Sequence, residues 1–284
     1  MTLKIADFNT TQKPTWCPGC GNFGIYIALK NALIELNIAP PELLNVYDIG
    51  CSGNGSNWFR SYGFHSLHGR VLPVAIGAKL ANKNLNVMAF SGDGGALGEG
   101  GNHFMHCCRT NIDITYVIHN NLIYSLTTGQ MSPASEQGLK TKSSPEGNPF
   151  LQLKHLQIAI SAGATFVARG FADDIPGLTK IFVASIKHKG FAIVDVLQPC
   201  VTLNLANTRE WYQKHTKKID SSWDTHNKEK ALLLGGNWDG GIPLGIIYEE
   251  ERPTLEEILP ALAGAPLIDQ VRKYDVSELI KDFS

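Results

Sequence analysis

Short apolar runs alternate with longer amphipathic stretches along the first two thirds of the chain. The apolar runs predict strands at 44–49, 86–90, 112–118, 164–168 and 191–197. The stretches around them predict helices at 22–36, 70–81, 99–109, 151–162 and 173–188. Strands that alternate with helices indicate an α/β fold, with a mostly parallel sheet and helices on both faces.

The pattern changes after Cys200. Residues 204–284 are more charged, and they carry Trp211, Trp223 and Trp238 without a clear strand or helix period. We interpret this part as an irregular C-terminal arm that docks on the domain or on a partner subunit. The domain that carries the chemistry is then expected to cover residues 1–203.

Charge narrows the classes of partner. With 25 basic and 26 acidic residues, the formal net charge is -1, which favours neither a nucleic acid nor an anionic membrane surface. No apolar run is long enough for a transmembrane helix, and no signal peptide is recognisable, so a cytoplasmic location is expected. Only 12 charged residues lie between positions 15 and 135, while 15 of the 28 glycines lie between Gly19 and Gly101. This skew predicts a backbone that packs closely against a ligand or a second subunit.

Residues suited to chemistry follow the predicted strands. Gly50-Cys51-Ser52 follows the first strand, Gly92-Asp93-Gly94 the second, Asn120-Asn121 the third, and Cys200 comes shortly after the last. The carboxyl ends of parallel strands share one edge of a sheet, where open α/β sheets bind ligands. We therefore expect one rim that carries all four segments, although loops of any α/β protein also collect Gly, Asn and Asp.

The spacing from Asp93 to Asn121 leaves room for one helix and one strand, which returns both residues to neighbouring loops. Carboxylate and amide oxygens suit Mg²⁺, and glycines let the backbone approach a diphosphate. Gly-Asp-Gly followed by Asn-Asn resembles the thiamine diphosphate signature, which implies Mg²⁺ held by Asp93, Asn121 and the backbone carbonyl of Ile123. The alternative is a turn with a solvated Asp and a helix-capping Asn.

The cysteines suggest a second centre. Cys17 and Cys20 form a C-x-x-C pair that suits a zinc half-site, a redox dithiol or half of an iron–sulfur site. Cys51 and Cys200 are expected at the rim, so four thiolates can meet there. Their irregular spacing argues against a compact zinc finger and favours an iron–sulfur cluster, with zinc still open. Cys107 and Cys108 are adjacent in a predicted helix, and we expect both to be packing residues.

Two further motifs carry little weight. Residues 19–24 match G-x-G-x-x-G, but no strand precedes them, and no P-loop motif is present. Among the histidines near the expected rim, His68 is the best candidate for a catalytic role because it opens a helix beside the Cys51 loop. The other histidines are expected to be structural.

Together these segments resemble the β subunit of 2-oxoacid:ferredoxin oxidoreductases. The likeness is dense over residues 14–204 and includes segments 15–22, 49–52, 64–70, 92–94, 120–121 and 195–200. It implies a thiamine diphosphate-binding fold and a [4Fe-4S] cluster on Cys17, Cys20, Cys51 and Cys200. It further implies a thiamine diphosphate site lined by Ile49, Gly50, Cys51, Ser52, His68, Gly94, Gly95, Ser125 and Leu126.

The resemblance also implies an activity. A 2-oxoacid is oxidatively decarboxylated with coenzyme A to acyl-CoA and CO₂, and electrons pass through the cluster to ferredoxin. We find no glutamate here to activate the aminopyrimidine ring of the cofactor. In this family that half of the site comes from an α (or fused α/γ) subunit, so a heterodimer is expected.

The chain departs from the family pattern at four positions. Gly95 replaces a frequent Asp, Glu99 an apolar residue, Ser125 a Gly, and Asn54 a frequent Lys or Arg. Asn54 leaves the choice of 2-oxoacid open. Two alternative functions remain: half of a non-oxidative thiamine-dependent decarboxylase with structural zinc, and a non-catalytic, metal-stabilised assembly subunit.

Overall fold

A computed structural model describes residues 2–270 and 277–281. Its strands are β1 (Leu43–Tyr47), β2 (Tyr62–His65), β3 (Asn86–Gly92), β4 (Ile114–Asn120), β5 (Ile123–Tyr124), β6 (Gln130–Met131), β7 (Phe166–Phe171), β8 (Phe191–Leu197), β9 (Thr216–Lys218) and β10 (Ile242–Glu249). Its α-helices are α1 (Asn22–Glu35), α2 (Val71–Ala81), α3 (Gly101–Thr110), α4 (His155–Ala162), α5 (Ile175–Lys187), α6 (Arg209–His215), α7 (Lys228–Gly236), α8 (Leu255–Ile258) and α9 (Ser277–Lys281). Short 3₁₀ turns lie at Ile5–Phe8, Pro40–Glu42, Gly53–Asn57, Pro260–Leu262 and Leu267–Asp269, and Gly95–Glu99 forms a π-helical turn.

The main sheet has eight strands in the order β2-β1-β3-β4-β8-β7-β10-β9. The first six strands in this order, which end with β7, are mutually parallel. Strand β10 is antiparallel to β7 and parallel to β9. Strands β5 and β6 form a separate two-stranded sheet. The predicted fold class, a mostly parallel sheet in an α/β protein, is confirmed.

Helices cover both faces of the sheet. Helices α1 and α5 contribute their apolar side chains to a core on one face, and α2, α3, α4 and α7 contribute theirs to a core on the other. Every residue of β4 and β8 is buried, which explains why central strands read as continuous apolar runs. Cys107 and Cys108 are fully buried in the second core, so their predicted role in packing is confirmed.

Four of the five predicted helices begin one to four residues later than expected, and two of these shifts have a visible cause. Glu99 belongs to the π-helical turn, and the regular helix α3 starts at Gly101. Helix α4 starts at His155 rather than at residue 151, because residues 151–154 form an irregular segment in which the Leu153 N–H donates to the Pro133 carbonyl. Both differences lie where a loop is held by tertiary contacts that the periodicity does not record.

The C-terminal segment is more regular than the irregular arm that the sequence predicted. It supplies β9 and β10 to the main sheet, and α7 packs on α4. Trp238 is buried and donates its indole N–H to Glu136 at 2.7 Å, so the segment docks on the domain. A register shift between Ile246 and Tyr248 interrupts the alternation of β10 and hides its strand signal. The division of the chain at residue 203 stays a prediction.

Within the described ranges, none of the helices combines the length and the apolar character needed to cross a bilayer.

Candidate functional site

One cleft gathers the loops that follow four adjacent strands. The carboxyl ends of β1, β3, β4 and β8 stand side by side, as the position of the chemical residues predicted. The enclosed part of the cleft has a volume of about 60 Å³. Predicted residues that line it are Ile49, Gly50, Cys51, Ser52, His68, Asp93, Gly94, Gly95, Asn121, Ile123, Ser125 and Leu126. The structure therefore brings together every residue assigned to the cofactor and to magnesium.

Asp93 lies buried at the floor of this cleft, with 1% of its surface exposed. Burial raises the pKa of its carboxyl to about 7, and the hydroxyl of Ser132, which donates to Oδ2 at 2.5 Å, opposes that rise. A buried carboxylate needs a cation or strong hydrogen-bond donors to stay ionised. This carboxylate therefore fits the expected magnesium ligand.

Asn121 stands on the neighbouring loop. Its side-chain oxygen accepts the Ile123 N–H at 3.2 Å, and its amide nitrogen donates to the Ser125 hydroxyl at 3.2 Å. These bonds hold residues 121–125 in a compact turn, in which Leu122 has φ +65°. The site thus offers a carboxylate, an amide oxygen and a backbone carbonyl, which is a hard oxygen set suited to Mg²⁺.

Gly94 and Gly95 are required by their protein neighbours as well as by any diphosphate. A Cβ on Gly94 would stand 2.2 Å from the ring of Tyr124. A Cβ on Gly95 would stand 2.3 Å from Oδ2 of Asp48. The departure at Gly95 therefore has a structural reason, since a buried carboxylate from the end of β1 fills the space beside it.

Asp48 is a site residue that the sequence did not reveal. Its Oδ1 accepts the N–H groups of Ile49 and Gly69, both at 2.8 Å, and the Ser91 hydroxyl bonds to its other oxygen. One buried carboxylate thus joins the Cys51 loop, the His68 loop and the end of β3. An Asp directly after a buried strand was the available signal, but such residues are common in loops.

Glu99 orients two side chains at the mouth of the cleft. Its carboxylate lies 3.1 Å from Nδ1 of His68 and accepts the Tyr124 hydroxyl at 3.2 Å. Burial raises the pKa of Tyr124, and the charge of Glu99 adds to this effect. The second departure from the family pattern is therefore part of a contact network that includes the candidate His68.

The four predicted cluster cysteines lie on loops that meet beside this cleft. Cys51 lines the cleft, Cys20 and Cys200 are half-buried, and Cys17 is exposed. The Trp16 indole donates to the Cys51 carbonyl at 2.7 Å, and the Gly21 N–H donates to the Pro199 carbonyl at 3.3 Å. These two bonds tie the C-x-x-C loop to the loops of Cys51 and Cys200.

The thiols influence one another electrostatically. Burial raises the pKa of Cys20 to about 11, and Cys200 and Cys51 raise it further, while hydrogen bonds from Asn22 and Gln198 oppose the rise. Burial likewise raises the pKa of Cys51, which Cys200 and Cys17 also raise. Over residues 2–270 and 277–281, no group of three His, Cys, Asp or Glu side chains is arranged to hold a metal ion. The loops converge, and a metal centre on these cysteines stays a prediction.

The cleft also contains residues that the sequence analysis did not assign to it. They are Gly92, His119, Tyr124, Thr127 and Gln198. His119 is the second-last residue of β4, and Gln198 directly follows β8. Their places in the chain, one residue before Asn120 and two before Cys200, were the available signal.

Comparisons with known proteins identify the class and then the family. Residues 48–196 match the family described as thiamine pyrophosphate enzyme, C-terminal TPP binding domain. Fold and cleft therefore define a thiamine diphosphate-binding protein. Residues 200–264 match the family that comprises the C-terminal part of the beta subunit of pyruvate ferredoxin oxidoreductase.

The sequences of known relatives align with nearly the whole chain. The 2-oxoacid:ferredoxin oxidoreductase subunit beta of Saccharolobus solfataricus is 44% identical over 276 residues, which cover 93% of this chain and 90% of the relative. The subunit beta of 2-oxoacid:ferredoxin oxidoreductase 1 of Aeropyrum pernix is 38% identical over 294 residues, which cover 97% and 92%. The chain belongs to the family of 2-oxoacid:ferredoxin oxidoreductase β subunits, which confirms the resemblance.

A solved structure shares the same fold. It is a 2-oxoglutarate:ferredoxin oxidoreductase from Magnetococcus marinus with 2-oxoglutarate, coenzyme A and succinyl-CoA bound. The similarity has a TM-score of 0.92 at 33% identity and covers 99% of this chain and 96% of the other.

Proposed function

We propose that this chain is the thiamine diphosphate and cluster subunit of a cytoplasmic 2-oxoacid:ferredoxin oxidoreductase that needs an α (or fused α/γ) partner. The complex would convert a 2-oxoacid and coenzyme A to acyl-CoA and CO₂ and pass the electrons to ferredoxin. One observation carries this proposal. The loops bearing the magnesium-type oxygens and the loops bearing four cysteines meet at the same rim, and Cys51 belongs to both.

Asp93, Asn121 and the carbonyl of Ile123 would hold Mg²⁺ with the diphosphate of the cofactor. Thiamine diphosphate supplies, when bound, the electron sink that 2-oxoacid decarboxylation requires. The chain contributes the geometry of the site. Asp48 holds three of its loops in place, and Ser132 fixes the carboxyl of Asp93.

His68 is the candidate for moving a proton in the cleft. Nδ1 of its ring lies 3.1 Å from the Glu99 carboxylate, which is close enough for an ion pair when the ring carries a proton. The ring lies beside Tyr124 in the lining of the cleft, which is the position that this role requires.

A [4Fe-4S] cluster is proposed on Cys17, Cys20, Cys51 and Cys200. Thiolates are the usual ligands of such clusters, and the burial that raises the pKa of Cys20 and Cys51 opposes their ionisation unless a cationic centre is present. The cysteines come from three separate loops, which suits a cluster that is held beside the cofactor by segments distant in the chain.

The absorption spectrum of anaerobically purified protein tests the proposal. A brown chromophore near 400 nm that dithionite bleaches is expected, with matching iron and sulfide. A colourless protein with stoichiometric zinc would contradict it. Thiamine binding in that case indicates the non-oxidative decarboxylase, and its absence indicates the assembly subunit.

Substrate choice is tested on the complex with its partner. No Lys or Arg side chain lines the cleft from the described part of this chain. A second carboxylate on the substrate would therefore need a cation from the partner. Rates with pyruvate, 2-oxoglutarate, and branched-chain and aryl 2-oxoacids would establish the substrate class.

A further inference from the structure

Three buried polar side chains lie between the cofactor cleft and the thiol of Cys20. They are Asn22 at the start of α1, His119 near the end of β4, and Gln198 directly after β8. Their exposed fractions are 1%, 6% and 2%, respectively. We call these three residues the polar bridge.

The polar bridge contacts the Cys20 sulfur directly. Nε2 of Gln198 donates to Sγ at 3.6 Å, within the longer range of hydrogen bonds to sulfur. The backbone N–H of Asn22 also bonds to the Cys20 sulfur. Both donors therefore stabilise negative charge on this sulfur.

Gly21 makes the contact of Gln198 possible. A Cβ at Gly21 would stand 2.7 Å from Cγ of Gln198 and 3.0 Å from the Pro199 ring. The absence of a side chain lets the Gln198 stem pass beside the C-x-x-C loop. The glycine inside that motif thus has a specific packing role.

His119 links the same region to the cleft. Its Nδ1 lies 2.8 Å from Oδ1 of Asn22. Because Oδ1 of Asn22 can only accept, Nδ1 of His119 carries the proton of this hydrogen bond. The ring of His119 also lines the cleft.

Each member of the polar bridge keeps one buried atom without a hydrogen bond inside the described part of the chain. These atoms are Nδ2 of Asn22, Nε2 of His119 and Oε1 of Gln198. Buried polar atoms that lack partners are costly, and in native proteins they call for a specific explanation. Apolar side chains would fill this space better if packing were the only requirement.

We propose that Gln198 is a positioning residue that sets the reduction potential of the metal centre on Cys20 by donating its amide N–H to the ligand sulfur, and that His119 and Asn22 hold it between the centre and the cleft. This inference rests on the proposed iron–sulfur centre. A hydrogen bond to a ligand sulfur stabilises the reduced, more negative state of a cluster and raises its potential. The bond therefore makes the centre a better acceptor for electrons that leave the cleft.

The test is a potentiometric titration of the anaerobic complex, followed by the electron paramagnetic resonance of the reduced centre. Gln198→Met keeps the length of the side chain but removes the donor, so the midpoint potential should shift to a more negative value at unchanged iron and sulfide content. Gln198→Glu adds negative charge beside the sulfur and should shift it further. Gln137→Leu, at an exposed site whose side chain bonds only to the Pro149 carbonyl in the described contacts, should leave the potential unchanged.

The outcomes separate the two proposals. If the wild-type complex lacks iron and sulfide, the proposed function itself fails. If the centre is present but its potential is the same in the wild type and in Gln198→Met, the inference alone is overturned. Where buried substitutions prevent assembly of the centre, wild-type protein labelled with ¹⁵N in the glutamine side chains decides. The reduced centre should then show a hyperfine coupling to that nitrogen, and its absence would overturn the role of Gln198.

Discussion

The two halves of the site are built differently. In the cofactor cleft, the polar groups of Asp48, Asp93 and Asn121 already have protein partners, because hydroxyl and backbone donors bond to them. In the cysteine loops, the thiols of Cys20 and Cys51 have raised pKa values and repel one another when ionised. The difference indicates that the cleft is preorganised by the fold, whereas four thiolates at the cysteine site would need the proposed metal centre to balance their charge.

The largest expected effect is the loss of cofactor binding in Asp93→Ala. The variant removes the one buried carboxylate assigned to Mg²⁺, so Mg²⁺-dependent binding of thiamine diphosphate should fall by at least about 100-fold, since a hydrogen-bonded charge pair lost from a buried site costs several kcal/mol. Calorimetric titration with the cofactor measures this. The absorbance of the cysteine centre should be unchanged. Full cofactor occupancy in the variant would show that the magnesium assignment is wrong.

Cys20→Ser tests the other half alone. Removal of one thiolate should abolish the visible absorbance and reduce the iron content, while cofactor affinity stays within about twofold because the cleft is held by its own hydrogen bonds. The matched control is Cys107→Ser. This cysteine is fully buried in the core beneath α2, α3, α4 and α7. We expect this control to keep the absorbance. If it lost the chromophore, the choice of four ligands would need revision.

Asp195 anchors a buried charge network next to the cofactor cleft, because it bonds to Asn120, the neighbour of Asn121. It is fully buried in β8, 2.6 Å from Nε of Arg169 and 3.2 Å from Nε2 of His155, and it accepts the Asn120 amide at 3.0 Å. Loss of one partner from a buried charge network costs about 3–5 kcal/mol. Asp195→Asn should therefore lower the free energy of unfolding by about that amount at pH 7, as measured by chemical denaturation. The exposed Asp269→Asn serves as the control and should change it by less than about 0.5 kcal/mol.

The same residue has a signature in pH. Burial alone would raise the pKa of Asp195, but His155 and Arg169 outweigh burial and hold the pKa well below its ordinary value. Its stabilising contribution is therefore complete above the unfolded pKa of about 4 and is lost as the pH falls toward the lower folded pKa. Between about pH 5 and pH 3, the melting temperature should fall less steeply in Asp195→Asn than in the wild type. Equal slopes would contradict the ion pair.

The smallest expected effects come from two glycine substitutions, one at the tightly packed cleft and one on the exposed side of a helix. Gly94→Ala forces a Cβ against the Tyr124 ring and should cost about 1–3 kcal/mol of folding stability, with a weaker affinity for the cofactor. Gly77→Ala is the counterpart, because Gly77 is exposed in α2 and a Cβ added there would meet no atom within 4 Å. That substitution should stabilise the protein by about 0.5–1 kcal/mol. Thermal unfolding of the two variants should therefore move in opposite directions.

Strands with strong apolar runs were predictable because full burial on both faces leaves a plain signal in composition. Strands β4 and β8, in which every residue is buried, show this. The strands of the C-terminal segment were not predicted, because β9 has three residues and β10 contains a register shift. The rim was predicted for a topological reason, since parallel strands place their following loops along one edge. The convergence of the oxygens with Cys51 and Cys200 follows from that order, whereas hydrogen bonds tie the C-x-x-C loop to the rim.

Residues that act by contact rather than by motif escaped prediction. Asp48, His119 and Gln198 belong to no spacing rule, and each has a bonding partner 20 or more positions away in the chain. A buried polar side chain is defined by what surrounds it, which a linear pattern does not contain. The sequence alone determined the fold class, the family, the rim and the chemical identity of its donors, because local periodicity and short motifs carry that information. Only the tertiary structure decided which polar atoms are paired and why Gly95 is a glycine, because both depend on packing between residues from distant segments.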